Sequence, residues 1–165
     1  MAELTNLETK LGEVMGLAMA AQAATEKVRR LVEDEHPEYV DQLERMHRDA
    51  VETEQRCARI TDTFEGKKTA INDEAAATKR KGAEMMKIYL DADSDALDGF
   101  EFLTMAEAGE VGHWNVLASM NRGAARSDVA QLCDWAIPIQ NRHFVVVTEA
   151  SEAISLAEDP AAIAG

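Results

Sequence analysis

Apolar residues recur three and four positions apart through most of this chain, the spacing of an inward-facing helical seam. Over about Leu4 to Asp34 the seam reads Leu4, Leu7, Leu11, Val14, Ala18, Ala21, Thr25, Val28 and Val32. His36-Pro37 interrupts it, and a second seam runs on to Phe64: Val40, Leu43, His47, Ala50, Glu54, Cys57, Thr61, Phe64. After the turn Asp91-Ala-Asp-Ser-Asp95 a third seam reads Phe100, Leu103, Glu107, Glu110, Trp114, Leu117. The last comprises Cys133, Ala136, Gln140, His143, Val147, Ala150, Ile154 and Ala157.

Punctuation sets the ends of these segments. The pattern predicts helix α1 over about 4–34, and α2 from Pro37, which suits a first helical turn, to about Phe64, just before Gly66. A shorter helix, α3, is predicted over about 70–90. Helix α4 begins at N-cap candidates in the 91–95 turn and is expected to stop at Met120, where Asn121-Arg-Gly123 follows. Ser127 or Asp128 caps α5, which is expected to last to Glu158, before Pro160.

Four long seamed helices predict an all-α fold, one antiparallel four-helix bundle domain over residues 1–165. The α1–α2 and α4–α5 loops are short, so each pair is an antiparallel hairpin. The α2–α4 connection, about 30 residues, is long enough to cross the bundle end to end with α3 as a short extra helix.

Composition supports helix: 46% of the residues are hydrophobic, and the only β-branched cluster is Val145-Val146-Val147. A net charge of −14 repels phosphates and anionic lipid, so neither nucleic acid nor a membrane is an expected partner. Against that background Lys67, Lys68, Lys79, Arg80, Lys81 and Lys87 form a basic island on α3. No apolar run approaches the ~20 residues of a membrane span. The acidic beginning, MAELTNLETKLGEV, lacks the basic start of a signal peptide, which predicts a cytoplasmic protein. Cys57 and Cys133 have no metal-ligand spacing and read as reduced, buried residues. Gly109 and Gly112, inside α4, read as close-packing positions rather than a phosphate loop.

The chemistry lies in the middle of the seams. On α4, Glu107 and Glu110 interrupt an apolar row; on α5, Gln140 and His143 do the same. In an antiparallel hairpin centred on residue 125, residues whose numbers sum to 250 lie at one height, which pairs Glu107 with His143 and Glu110 with Gln140. His47 and Glu54 share the α2 register about two turns apart, ~10 Å. On α1, Gln22 and Glu26 lie beside the seam rather than on it. Two glutamates one turn apart in an apolar interior repel each other, so one of them holds a proton or both share a cation. Two readings follow: a site for one or two divalent metals, or a proton-sharing polar network. The metal reading names Glu107, Glu110, His143, Glu54, His47 and Gln140, with His113 in reserve off the seam. The alternative is a non-catalytic interaction protein, with the off-seam Trp135 and Phe144 packing under α3 or forming a dimer contact.

The stretch Glu107-Ala-Gly-Glu110-Val-Gly-His113-Trp-Asn-Val-Leu117 resembles the Glu-x-x-Glu-[Ile/Val] segment of the small bacterial ferritin-like stress proteins of the YciF type. Thr53, Arg59, Ile60 and Phe64 fall on that family's Thr…Arg-Leu…Phe pattern, and the resemblance covers roughly residues 10–155. It implies a ferritin-like bundle, commonly a homodimer, with a dinuclear metal site. A homodimer or larger homo-oligomer is the expected assembly. If the site holds redox-active iron or manganese, iron oxidation or peroxide consumption is the expected chemistry. Three positions depart from the family pattern. Gln22 stands where α1 would carry Glu, Gln140 where α5 would carry Glu, and Asp49 where α2 would carry His.

Overall fold

The computed structural model describes residues 2–162. Among them there are five α-helices and no strand: α1 Asn6–Val32, α2 Val40–Thr61, α3 Lys68–Tyr89, α4 Ala96–Ala124 and α5 Ser127–Ser155. None is long and apolar enough to cross a membrane.

Local chemistry sets the helix ends. Thr5 and Glu8 form a capping box at the start of α1, and Asp95 and Asp98 form another at the start of α4. Pro37 opens a single 3-10 turn, Pro37–Tyr39, rather than α2 itself. Asn121-Arg-Gly123 does not end α4, which continues to Ala124. Ala125 then takes the left-handed conformation, φ 54°, and turns the chain into α5. Asn121 holds that turn from both sides, donating from Nδ2 to the Arg126 carbonyl (2.8 Å) and accepting the Arg126 N–H at Oδ1 (3.2 Å).

The helices pack side by side as a bundle with α1 at its centre. Helices α2, α3 and α4 all run along α1, and α5 runs along α4 with a lighter contact to α2. Helix α3, expected over about 70–90, does connect α2 to α4 along the length of α1, but it is not short. It has 22 residues, as many as α2, and lies against the outer face of α1. Two glycines permit that approach. A Cβ on Gly12 would lie 2.9 Å from the Ile71 carbonyl oxygen, and one on Gly16 only 2.4 Å from that of Ala75. Because α1 has neighbours on two sides, its burial extends beyond the predicted seam to Gly12, Met15 and Gly16.

The α4 and α5 seams are buried as predicted, from Phe100 to Leu117 and from Cys133 to Ile154; only Ala157, at the end of the row, is exposed. The α2 seam is buried at Leu43, Ala50, Cys57, Thr61 and Phe64 but not at its two polar positions. Met46 and Thr53 are buried where His47 and Glu54 were expected, and those two side chains turn to the α1 side. Gly109 and Gly112 are not close-packing positions, since a Cβ on either would meet nothing within 4 Å. Trp135 does not pack under α3. It is partly buried beside α2, with the Arg56 guanidinium 4.1 Å above its ring. Phe144 is partly buried.

The core divides into two apolar clusters. One gathers Leu11, Val14, Cys57, Trp114, Leu117 and Cys133 among others; the second gathers Val28, Leu43, Phe100, Leu103, Val147 and Ile154 among others. Neither cluster includes the middle of α4 and α5, where the polar seam residues fall.

Candidate metal centre

Glu107, Glu110, Gln140 and His143 are each no more than 3% exposed, and they occupy the belt between the two apolar clusters. The hairpin spacing explains how they meet. Glu107 Oε2 lies 3.6 Å from His143 Nδ1, and Gln140 Nε2 donates to Glu110 Oε2 at 3.0 Å. These are the two rungs expected from the numbering, set by a turn centred on Ala125.

Asp49 on α2 completes the belt. Its Oδ2 lies 2.9 Å from His143 Nε2 and also accepts from Arg142 Nη2 at 2.7 Å. Burial works against a charged imidazole, but Asp49 and Glu107 outweigh it and hold His143 up at about 9. The ring is therefore protonated at neutral pH, with one N–H toward each carboxylate. For Asp49 burial likewise works against the charge, and His143 and Arg142 reverse it, leaving this carboxyl below its ordinary range. Glu110 goes the other way. Burial first, then the charge of Glu107, pushes it well above the ordinary carboxylate range, with only partial relief from His143.

The remaining predicted residues form a second group on the α1–α2 side. Glu54 Oε2 accepts from Gln22 Nε2 at 2.6 Å, and His47 Nδ1 lies 3.0 Å from the Gln22 carbonyl oxygen. Gln22 thus links both residues to α1, and neither bonds to the α4–α5 belt. His113, the reserve ligand, lies outside the belt with Nδ1 3.3 Å from Glu13 Oε2. The cysteines are free and buried, with burial raising both thiols, Cys133 to about 11, so neither offers a thiolate.

Sequence reasoning gave Asp49 no role of its own. It lies off the seam drawn through His47 and Glu54. Moving that seam one residue back onto Met46 and Thr53 would have brought Asp49 to the edge facing α5.

The donor set can be tested against a metal. Gln140 Oε1 is buried with no hydrogen-bond partner, and Glu107 Oε2 has no donor nearer than His143 Nδ1 at 3.6 Å. A buried acceptor without a donor is costly, and a bound cation would satisfy it. Glu107, Glu110 and Gln140 are the residues that would hold one hard divalent ion here. A dinuclear centre does not fit: the α1 position is Gln22, and the α2 carboxylate, Asp49, is engaged by His143 and Arg142. Among the described residues, no three His, Cys, Asp or Glu side chains converge on one point. Any ion here would rely on the amide oxygen of Gln140 as well as carboxylates. Compared with protein-family models, curated proteins and solved structures, the chain gives no match.

Proposed function

We propose that this chain is a ferritin-like bundle protein that binds a single divalent cation, iron or manganese, in the α4–α5 belt. Glu107 and Glu110 would supply the charge and Gln140 Oε1 a neutral oxygen. The observation that carries this reading is the pair of buried carboxylates one turn apart, with Gln140 Oε1 unpartnered and Glu107 Oε2 no nearer a donor than His143 Nδ1 at 3.6 Å. A cation relieves both the repulsion and the unpaired acceptor. His143 would stay with Asp49 and hold Glu107 in place rather than bind the ion. A redox-active ion in this belt would supply one-electron chemistry, with iron oxidation or peroxide consumption as the reaction class. The setting that accompanies this reading is a cytoplasmic stress protein assembled as a homodimer.

The test is metal content after purification without chelators, together with thermal melts during titration with Mn(II) or anaerobic Fe(II). A single ion per chain, lost in Glu107→Gln/Glu110→Gln, is the expected result. No metal above background and no change in melting temperature would overturn the reading.

One observation favours a second reading. The protonated His143 already provides a cation between Asp49 and Glu107, and a carboxyl that keeps its proton, Glu110, provides neutrality beside it. On that reading the belt is a proton-held network in a non-catalytic interaction protein, and added metal leaves the melting curve unchanged.

A further inference from the structure

Helices α3 and α4 both lie along α1 but scarcely touch each other. Between them a cleft of about 250 Å³ runs inward to the polar belt. Its walls are small or flexible and apolar: Ala20, Ala24, Gly82, Met86, Phe102 and Met105. Gly109 lines the cleft in the interior of α4, where glycine costs about 1 kcal/mol relative to alanine, and a Cβ there would meet nothing.

The inner end of the cleft is acidic. Glu107 and Glu110 both line it, although each is almost fully buried, and the His143 imidazolium near Glu107 is shared with Asp49. Among the described residues, two basic side chains line the cleft, Lys79 and His113. Lys79 is exposed, and His113 is 39% exposed and faces Glu13 and Lys10. Met85 and Met105, 44% and 36% exposed, give the outer part an apolar surface that adapts to different shapes.

We propose that this cleft binds a small primary amine with an apolar body. The ammonium would lie against Glu107 and Glu110, and the hydrocarbon would lie against the alanines and methionines. Charge complementarity selects the head, because a carboxylate ligand would meet the Glu107 carboxylate at the inner end and an alcohol would bring no opposite charge to it. The volume limits the body, since it is below the ~300–1,000 Å³ of drug-sized sites, which points to roughly eight heavy atoms. The proposal does not rest on the metal reading, and metal-free protein keeps the two distinguishable.

The experiment uses the full chain stripped with chelator, titrated calorimetrically with hexylamine, hexanol and hexanoate. Hexylamine is expected to bind at least tenfold more tightly than either of the others. Gly109→Phe, which fills the cleft and leaves both glutamates in place, is expected to abolish binding. Glu107→Gln is expected to reduce hexylamine to the affinity of hexanol. Circular dichroism checks the fold of each variant. If Gly109→Phe unfolds, Gly109→Leu serves the same purpose. Equal affinity for hexylamine and hexanol, no hexylamine binding, or unaltered binding in the folded cleft-filled variant would overturn the proposal. So would a dimer in light scattering that dissociates on Met85→Lys and takes up no amine, which would give the cleft to a second copy of the chain.

Discussion

His143 on α5 and Asp49 on α2 meet with Nε2 2.9 Å from Oδ2, and this contact ties the α4–α5 hairpin to the α1–α2 hairpin in the middle of the bundle. Both partners are shifted toward their charged forms, so the contact is an ion pair at neutral pH. An ion pair within the belt makes folding stability depend on pH, with a sign fixed by which state holds the proton.

For His143 the folded state binds its proton more tightly than the unfolded chain. The stabilisation is complete below the unfolded value of 6.5 and is lost as pH rises through about 9. Over that window the unfolding free energy is expected to fall by a quantity on the order of 3 kcal/mol. Glu110 acts in the same direction, since its raised value means that the folded state resists ionisation as pH climbs above the ordinary carboxylate range. Asp49 acts on the acid side: its contribution is present above 3.8 and is lost as pH falls through its lower folded value. Urea melts from pH 6 to 9.5 would measure the alkaline slope, and His143→Gln should flatten it. An equal slope in that variant would show that the titrating group lies elsewhere.

Gln140→Glu separates the two readings of the belt. The side chains are nearly isosteric, so packing changes little while a carboxylate joins Glu107 and Glu110. Without metal the variant should lose about 1–3 kcal/mol of stability through like-charge repulsion. With Mn(II) or Fe(II) the affinity should rise about tenfold, worth about 1.4 kcal/mol. Melting curves with and without metal would show opposite shifts. Equal destabilisation in both conditions would favour the proton-held network.

In metal-free protein, Glu110→Leu combined with Gln140→Leu should raise the melting temperature, because it removes a buried carboxyl that already resists its charge and leaves no orphaned amide behind. Well-packed apolar replacements of buried charge gain roughly 1–4 kcal/mol where volume is matched. Glu107→Leu is expected to be less favourable, since it leaves the His143 imidazolium with Asp49 alone. Differential scanning calorimetry of the two variants would rank them, and the reverse order would mean that Glu107 contributes nothing to the charge of His143.

Two glycines of this bundle should respond in opposite ways. Gly16→Ala places a Cβ 2.4 Å from the Ala75 carbonyl oxygen, so α3 must move away from α1. A cost of about 1–3 kcal/mol is expected from that overpacking. Gly109→Ala meets nothing and improves helix propensity, for a gain of about 1 kcal/mol. Chemical denaturation of both variants measures the difference, and a neutral Gly16→Ala would show that α3 is free to shift outward.

Much of this fold was legible along the chain. The three-and-four spacing of α4 and α5 predicted their buried faces residue by residue, because a helix with a single buried side carries that side in its periodicity. The same spacing, with one short turn at Ala125, placed Glu107 opposite His143 and Glu110 opposite Gln140 before any coordinates. The polarity of the belt was also readable, since Glu, Gln and His interrupt otherwise apolar rows. Tertiary structure decided what periodicity does not encode. It placed α3 along α1, which required glycines at 12 and 16 that the seam alone does not explain. On α2 it buried Met46 and Thr53 beside Leu43, Ala50 and Cys57, which left His47 and Glu54 to Gln22 and brought Asp49 to His143. A seam drawn on one helix fixes its own face but not its angle to its neighbours. That angle is set by how all the packed surfaces fit at once, and here it determined which carboxylate reached His143.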